Sequence, residues 1–334
     1  MHPFVYERVS DWARTTQAAQ GPSAARASYL AGGTTLVDLM KLDVMRPERL
    51  IDINDLHDGR YGRVEFGQNE LRLGALVRMA DAGDHPDVQH HYPVIAQSLQ
   101  LAASAQLRNM ATLGGNVLQR ARCTYFRDVS YAACNKRNPG SGCAALAGVN
   151  RMHAVLGGSD HCIATYAGDF GQALIALDAT VDLIGPDGTR SIPFAKLHRR
   201  PGDTPDQETT LRPGELIVSF RVPDGPWTRR SLYLKVRDRQ SYEFALASAA
   251  VALDLEEGTV REARIALGGV STVPWRASEA EASLRGKTIN NQTAKTAADA
   301  AFAGAQGRGR NDFKVELGKR TLRRALLQGA ALEI

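Results

Sequence analysis

Apolar and polar positions along this chain follow two periods, and the period changes at turns rich in Gly, Pro and Asp. Up to about Asp55 the pattern predicts a helix over Ser10 to Ala19, a strand over Ser28 to Ala31, a Gly-containing turn, a helix over Leu36 to Leu42 and a strand over Arg49 to Asp52. Such alternation implies mixed helix and sheet. Val64 to Ala75 alternates around turn residues and predicts a hairpin. Short helices are expected at Val77 to Asp81, His91 to Ala96 and Ser98 to Ala103. From Arg120 to Asp169 the periodicity lapses into Gly, Asn, Ser and Cys. A structureless stretch of that length inside a compact domain is usually functional. The pattern resumes with a helix over Phe170 to Leu177, a strand over Ala179 to Ile184 and a turn at Pro186-Asp187-Gly188. A polar connector over 199–214 leads to a strand over Leu216 to Val222, expected to close a first domain. A second domain is expected from about Arg230. Its strands are Ser231 to Val236, Phe244 to Leu253 and Val260 to Leu267, and its helices are Ala277 to Leu284 and Phe313 to Leu327.

Composition changes this picture little. The 334 residues, 43% hydrophobic and 23% charged, fit a soluble chain of about two domains. The net charge of +5 is spread along the chain and not gathered into a stripe with interleaved aromatics, which disfavours a nucleic-acid partner. Its densest run, Lys319, Arg320, Arg323 and Arg324, fits one face of a C-terminal helix. No apolar run reaches the roughly 18 residues of a membrane span. Glu7, Asp11 and Arg14 stand where a signal peptide needs an apolar core, so no export signal is expected in this chain.

Candidate chemistry lies in three places. Leu30-Ala31-Gly32-Gly33-Thr34-Thr35-Leu36 joins a predicted strand to a predicted helix. Paired glycines let backbone come close to a ligand, and successive N–H groups suit a diphosphate. The spacing is not that of a Rossmann loop, and a tight turn with a helix cap would read the same way. A second loop, Gln106 to Asn116, contains Thr112, Gly114, Gly115 and Asn116, and the two together could hold one diphosphate from both sides. The third place is the aperiodic stretch. All four cysteines, Cys123, Cys134, Cys143 and Cys162, fall inside it with spacing C-x10-C-x8-C-x18-C. Four thiolates suit an iron–sulfur cluster or zinc. Zinc sites favour short paired spacings, which are absent here; two disulfides or four free thiols are the remaining alternatives.

The motifs Ala31-Gly32-Gly33-Thr34 and Gln106-x-Arg108-Asn109-x-Ala111-Thr112-x-Gly114-Gly115-Asn116 resemble the FAD-binding subunits of the molybdenum hydroxylases. The resemblance implies an α+β fold. Residues 1–222 would be an FAD-binding domain of the vanillyl-alcohol-oxidase (PCMH-type) class, with an insertion at about 120–168. Residues 228–330 would be a smaller α+β C-terminal flavoprotein domain. It implies that Leu30 through Leu36 and Thr112, Gly114, Gly115 and Asn116 wrap the FAD diphosphate. Leu118 belongs to the same stretch, Asp169 would bind the adenosine ribose, and Lys235 would approach the flavin. For Asp169 a helix N-cap, and for Lys235 a solvated strand edge, are the plain alternatives.

The runs Arg122-Cys123-Thr124-Tyr125-Phe126, Cys134-Asn135-Lys136-Arg137 and Pro139 to Cys143 resemble the FAD subunits of bacterial periplasmic aldehyde oxidoreductases, in which this insertion carries a [4Fe–4S] cluster. That resemblance implies Cys123, Cys134, Cys143 and Cys162 as ligands, with Arg122, Lys136 and Arg137 offsetting the cluster's charge. His153 and His161 read as neighbours of the last ligand, and His85, His90 and His91 as an exposed loop cluster. It further implies a heterotrimer with a large molybdenum-cofactor subunit and a small [2Fe–2S] subunit, electron flow through FAD to an external acceptor, and a periplasmic location reached by folded export on a signal-bearing partner. A xanthine dehydrogenase or hydroxybenzoyl-CoA reductase type complex, and a zinc-stabilised scaffold with no activity, are the rival readings.

Overall fold

The computed structural model describes residues 1–12, 14–15 and 26–334. Of the helix expected over Ser10 to Ala19, residues 13 and 16–19 lie outside the described residues. The chain builds three sheets in succession. The first is parallel, with β1 (Val5–Arg8) and β2 (Ala27–Leu30) flanking β3 (Arg49–Asp52). α1 (Leu36–Lys41) makes the crossover from β2 to β3. Ile51, at the centre of this small sheet, is fully buried.

The second sheet is antiparallel, in the order β4-β5-β8-β6-β7. β4 (Val64–Phe66) and β5 (Glu70–Gly74) form the expected hairpin. β6 (Thr180–Gly185) and β7 (Gly188–Pro193) form another around Pro186-Asp187. β8 (Leu216–Pro223) is inserted between them. The alternation along β6 is that of a strand with one face in the core. Between the hairpins the chain runs through α2 (Met79–Gly83), α3 (Pro86–His91), α4 (Pro93–Gln100), α5 (Ala105–Met110) and α6 (Leu113–Val117). The insertion follows, and then α8 (Phe170–Ala176), all seven of whose residues are buried. In the insertion the one helical turn is α7 (Thr124–Arg127); its remainder is turns and bends, as its sequence suggests.

The third sheet is β9 (Ser231–Val236), β10 (Ala247–Glu256), β11 (Thr259–Gly268) and β12 (Trp275–Arg276), all antiparallel. Helices α9 (Ser278–Leu284), α10 (Asn291–Ala301) and α11 (Phe313–Ala330) cover one of its faces. Ala249, Val251 and Leu253 pack on that side, whereas Ala250 and Ala252 join the core of the first domain. Covering both faces explains why this strand is written as an unbroken apolar run.

Sequence and structure differ locally. The helix expected from His91 starts at Pro93, where the missing N–H costs nothing. Gln106 to Asn116, read as a loop, is two short helices whose first turns are capped by Ser104 and Thr112. The strand expected from Phe244 begins at Ala247. The sequence reading did not include α10, although Asn290 and Thr293 make a capping box at its start.

Candidate functional site

Leu30 ends β2 and Leu36 opens α1, so Ala31, Gly32, Gly33, Thr34 and Thr35 turn at the carboxyl edge of the parallel sheet. Such edges are the usual ligand positions of open parallel sheets. Gly33 has φ 71°, a left-handed backbone that a side chain would strain. A Cβ on Gly32 would fall 2.0 Å from the carbonyl oxygen of Met110, so the second loop presses directly on the first. Asn54 and Arg78 tie the two together. Asn54 Nδ2 donates to the carbonyl of Ala31 at 3.0 Å. Arg78 donates to Asn54 Oδ1 at 3.2 Å and to the carbonyl of Met110. The N–H groups of Gly32, Gly33, Thr34, Thr35 and Leu36 donate to nothing among the described residues. Backbone donors in this state require a ligand or water.

The second loop uses its amides internally. Leu113 N–H donates to Val77 O at 2.9 Å and Gly114 N–H to Ala75 O at 2.9 Å. Gly115 N–H donates to Thr112 Oγ1 at 3.3 Å. A Cβ on Gly114 would stand 3.1 Å from Cβ of Ala75. What the loop presents to the cavity is the side chain of Asn116, whose Oδ1 is buried and has no partner among the described residues. Leu118, at the end of α6, instead lines a smaller cavity with Cys162 and Tyr166.

Both loops open on one cavity of about 730 Å³, with Thr34, Thr35, Ala111, Asn116, Asp169 and Phe244 in its wall. Ala103 (φ 48°) and Tyr242 (φ 53°), two non-glycine residues in left-handed backbone, also line it. Strain of this kind gathers at functional sites. Asp169 occupies the N-cap position of α8, but its side chain makes no cap bond. Its Oδ1 accepts from Tyr233 Oη at 2.6 Å, and its Oδ2 from Lys235 Nζ at 2.7 Å. Burial, with the Asp169 charge beside it, pushes the Tyr233 phenol well above its ordinary range. Lys235 also donates to Leu101 O at 3.0 Å, and its side chain is 1% exposed. Buried and paired with Asp169, it is not a solvated strand edge.

The four cysteines line a second, apolar cavity with Phe126, Ala144 and Ala164. Cys134 and Cys143 face each other across an isolated antiparallel bridge. Cys134 N–H donates to Ser141 Oγ at 3.0 Å, and Ala164 N–H donates to Cys162 Sγ at 3.4 Å. All four are free thiols. Burial pushes the Cys123 thiol up to about 12 and raises that of Cys162. Neutral buried thiols are poor nucleophiles, and a bound metal would favour their thiolates. Among the described residues, no three His, Cys, Asp or Glu side chains are grouped so as to hold a single metal ion. The thiols therefore border one space without meeting at a point.

Charges around this cavity are arranged differently from the sequence expectation. Arg122 reaches Thr35 Oγ1 at 3.3 Å and Asp38 at 3.4 Å, and lies over the ring of Phe244 in the wall of the larger cavity. Arg137 is occupied by the carbonyls of Tyr125 and Phe126, both at 2.8 Å, at the end of α7. Lys136, next to Cys134, binds Glu208 at 2.6 Å and Pro205 O at 2.9 Å, and its charge favours the Cys162 thiolate. His161 is half-exposed beside Asp203. His153 is buried, and its Nε2 lies 3.1 Å from Cys123 Sγ. His90 and His91 are exposed at the end of α3.

Comparison with known proteins decides what this assembly is. Residues 2–225 match the family described as the FAD binding domain in molybdopterin dehydrogenase, and residues 232–329 the CO dehydrogenase flavoprotein C-terminal domain. The chain is 46% identical to the aldehyde oxidoreductase FAD-binding subunit PaoB of Escherichia coli, over 99% of both chains. It is 29% identical to the carbon monoxide dehydrogenase medium chain of Hydrogenophaga pseudoflava, over 92% of this chain and 90% of that one. The chain belongs to the FAD-binding subunits of the molybdenum hydroxylases. A solved carbon monoxide dehydrogenase from the same organism superposes with TM-score 0.74 at 27% identity, over 98% of this chain and 97% of that one. Quinoline 2-oxidoreductase from Pseudomonas putida 86 shares the fold, with TM-score 0.75 at 23% identity and 98% and 97% coverage.

The residues present fit FAD. Free backbone amides at Gly32 through Leu36 suit its diphosphate, and Thr34 and Thr35 add hydroxyl donors. Asn116 brings an unsatisfied buried oxygen, and Asp169 a carboxylate fixed in place yet with lone pairs to spare. Sequence reasoning missed Asp38, Arg122, Phe244 and Tyr242 as parts of this wall. Phe244 and Tyr242 stand just ahead of β10 in a stretch whose pattern gives no sign of a ligand.

Proposed function

We propose that this flavoprotein subunit serves an aldehyde-oxidising complex and holds a [4Fe–4S] cluster on Cys123, Cys134, Cys143 and Cys162 beside its FAD. One observation carries the cluster reading: every cysteine of the chain borders a single apolar cavity. A tetrahedral zinc ion would need four thiolates converging on one point. A cluster of four irons and four sulfides takes its thiolates around a volume. The aldehyde reading is supported by the likeness to the E. coli subunit across the whole chain. Partners of the kind proposed are a large molybdenum-cofactor subunit and a small [2Fe–2S] subunit, with an external electron acceptor. Relatives described as the medium chain or subunit of larger enzymes support this assembly. A periplasmic location, reached folded on a signal-bearing partner, belongs to the same proposal.

When bound, FAD and the cluster supply the one- and two-electron chemistry. The chain's own residues bind and orient. Gly32 through Leu36 offer N–H donors. Met110, Arg78 and Asn54 hold that turn against the second loop. Tyr233 and Lys235 fix the Asp169 carboxylate so that its remaining lone pairs face the cavity.

The test is anaerobic purification of the chain with its co-expressed partners, followed by flavin, iron and zinc assays on the resolved subunit. Flavin together with iron at one cluster per chain is expected, and Cys143→Ser should lose the iron and keep the flavin. Zinc, or flavin without metal, would overturn the cluster. The assembled complex should convert an aldehyde to its acid with an artificial acceptor. The chain by itself is expected to be inactive toward aldehydes, and turnover by the isolated chain would overturn its reading as an electron-transfer subunit.

A further inference from the structure

Of the four cysteines, Cys123 alone borders the 730 Å³ cavity as well as the thiol-lined one. His153 lies in the wall of the larger one, with Nε2 3.1 Å from Cys123 Sγ. Its Nδ1 is buried without a partner among the described residues. A proton on Nδ1 would leave a buried donor unpaired, so the proton belongs on Nε2, pointing at the sulfur.

The backbone around this imidazole is held to an unusual degree. Lys314 Nζ, from α11, donates to Met152 O at 3.1 Å, His153 O at 3.2 Å and Gly269 O at 2.5 Å. Asn311 Nδ2 donates to His153 O at 3.4 Å and Ala154 O at 3.0 Å. His153 N–H itself donates to Asn150 O at 2.9 Å. Lys314 and Asn311 are both 0% exposed. Burying an ammonium is costly unless it is fully hydrogen-bonded, and these bonds all serve to fix one turn. The second domain thus aims a side chain of the insertion.

We propose that His153 donates its Nε2–H to the Cys123 sulfur and thereby raises the reduction potential of the cluster at the one ligand that also faces the flavin. A hydrogen bond to a ligating thiolate stabilises the extra negative charge of the reduced cluster more than the oxidised one, so it favours reduction. His153 is a positioning and tuning residue and does not ligate. No bond or proton changes hands, and the effect is electrostatic. The inference rests on the cluster reading above.

The experiment is a redox titration of the assembled complex, followed by electron paramagnetic resonance, on the wild type, His153→Leu and His153→Gln. Leu removes the donor, whereas Gln can return an N–H near the position of Nε2. The expected result is a lower cluster potential in His153→Leu and a near-wild-type potential in His153→Gln, with the flavin potential unmoved in both. An unchanged potential in His153→Leu would overturn the proposal, as would an equal fall in both variants. Where His153→Leu binds less iron, the potential is read on the fraction that retains the cluster. A wild type without any cluster signal is a separate failure, that of the cluster reading, and it shows before either variant is made.

Discussion

The turn at Gly32-Gly33 and the turn at Gly114-Gly115 look alike on the page, each a glycine pair beside threonine, but their backbones do opposite things. The first leaves the N–H groups of five successive residues without an acceptor among the described residues. The second uses its N–H groups on Ala75, Val77 and Thr112, and offers the cavity a side chain, Asn116. Their glycines differ in the same way. Gly32 makes room for another backbone and Gly33 takes a left-handed φ, whereas Gly114 and Gly115 pack closely on Ala75 and on Thr112. A glycine pair announces close approach, and only the neighbours show what approaches. One loop is the grip and the other is its abutment.

Substitutions can break or sharpen that contrast. The largest effect is expected at the Asp169 carboxylate, which shares the cavity wall with both loops. Lys235→Met leaves that carboxylate buried without its cation, at a cost of about 3–5 kcal/mol. Urea unfolding should show the loss, and the purified protein should carry less flavin. Unaltered stability would mean that Tyr233 alone suffices. Next is Gly32→Ala, whose Cβ would meet the carbonyl of Met110 at 2.0 Å. Backbone must move there, for about 1–3 kcal/mol, and the flavin-to-protein ratio should collapse because the grip is pried from its abutment. Retained flavin would show that the two turns act independently. Least is Gly115→Ala. Its Cβ would lie 3.0 Å from the Thr112 hydroxyl that caps α6, on a loop whose amides face inward. A loss of about 0.5–1 kcal/mol, for a strained cap bond, and an unchanged flavin ratio are expected. Loss of flavin there would erase the distinction between the loops.

The legible parts were those governed by local rules. Strand β3 was read to its residue limits, and α8 nearly so, because alternation and helical period are short-range. The cysteine stretch stood out because the pattern stopped. Less legible were helices that begin at Pro86 and Pro93, where proline reads as a breaker but serves as a first helical residue. The same holds for α5 and α6, where Gly and Asn disguise two capped turns as loop. Arg122 was assigned to the cysteines by its place next to Cys123, yet its side chain is long enough to turn to Asp38 and Phe244 instead. Nothing in the sequence could join Lys235 to Asp169, or Lys314 to the carbonyl of His153, because these pairs bridge 66 and 161 positions.

From its sequence alone this chain declared two domains of mixed helix and sheet, a glycine-paired turn suited to a diphosphate and a group of thiols, since each is written in neighbouring residues and backbone freedom is a local property. Folding decided the rest: which glycine pair presents its amides, which carboxylate faces the cavity, that four thiols line one space, and that a buried histidine of the larger cavity meets one of them. Those outcomes depend on side chains and backbones brought together from distant parts of the chain, and their distances exist only once burial has settled which groups must satisfy one another.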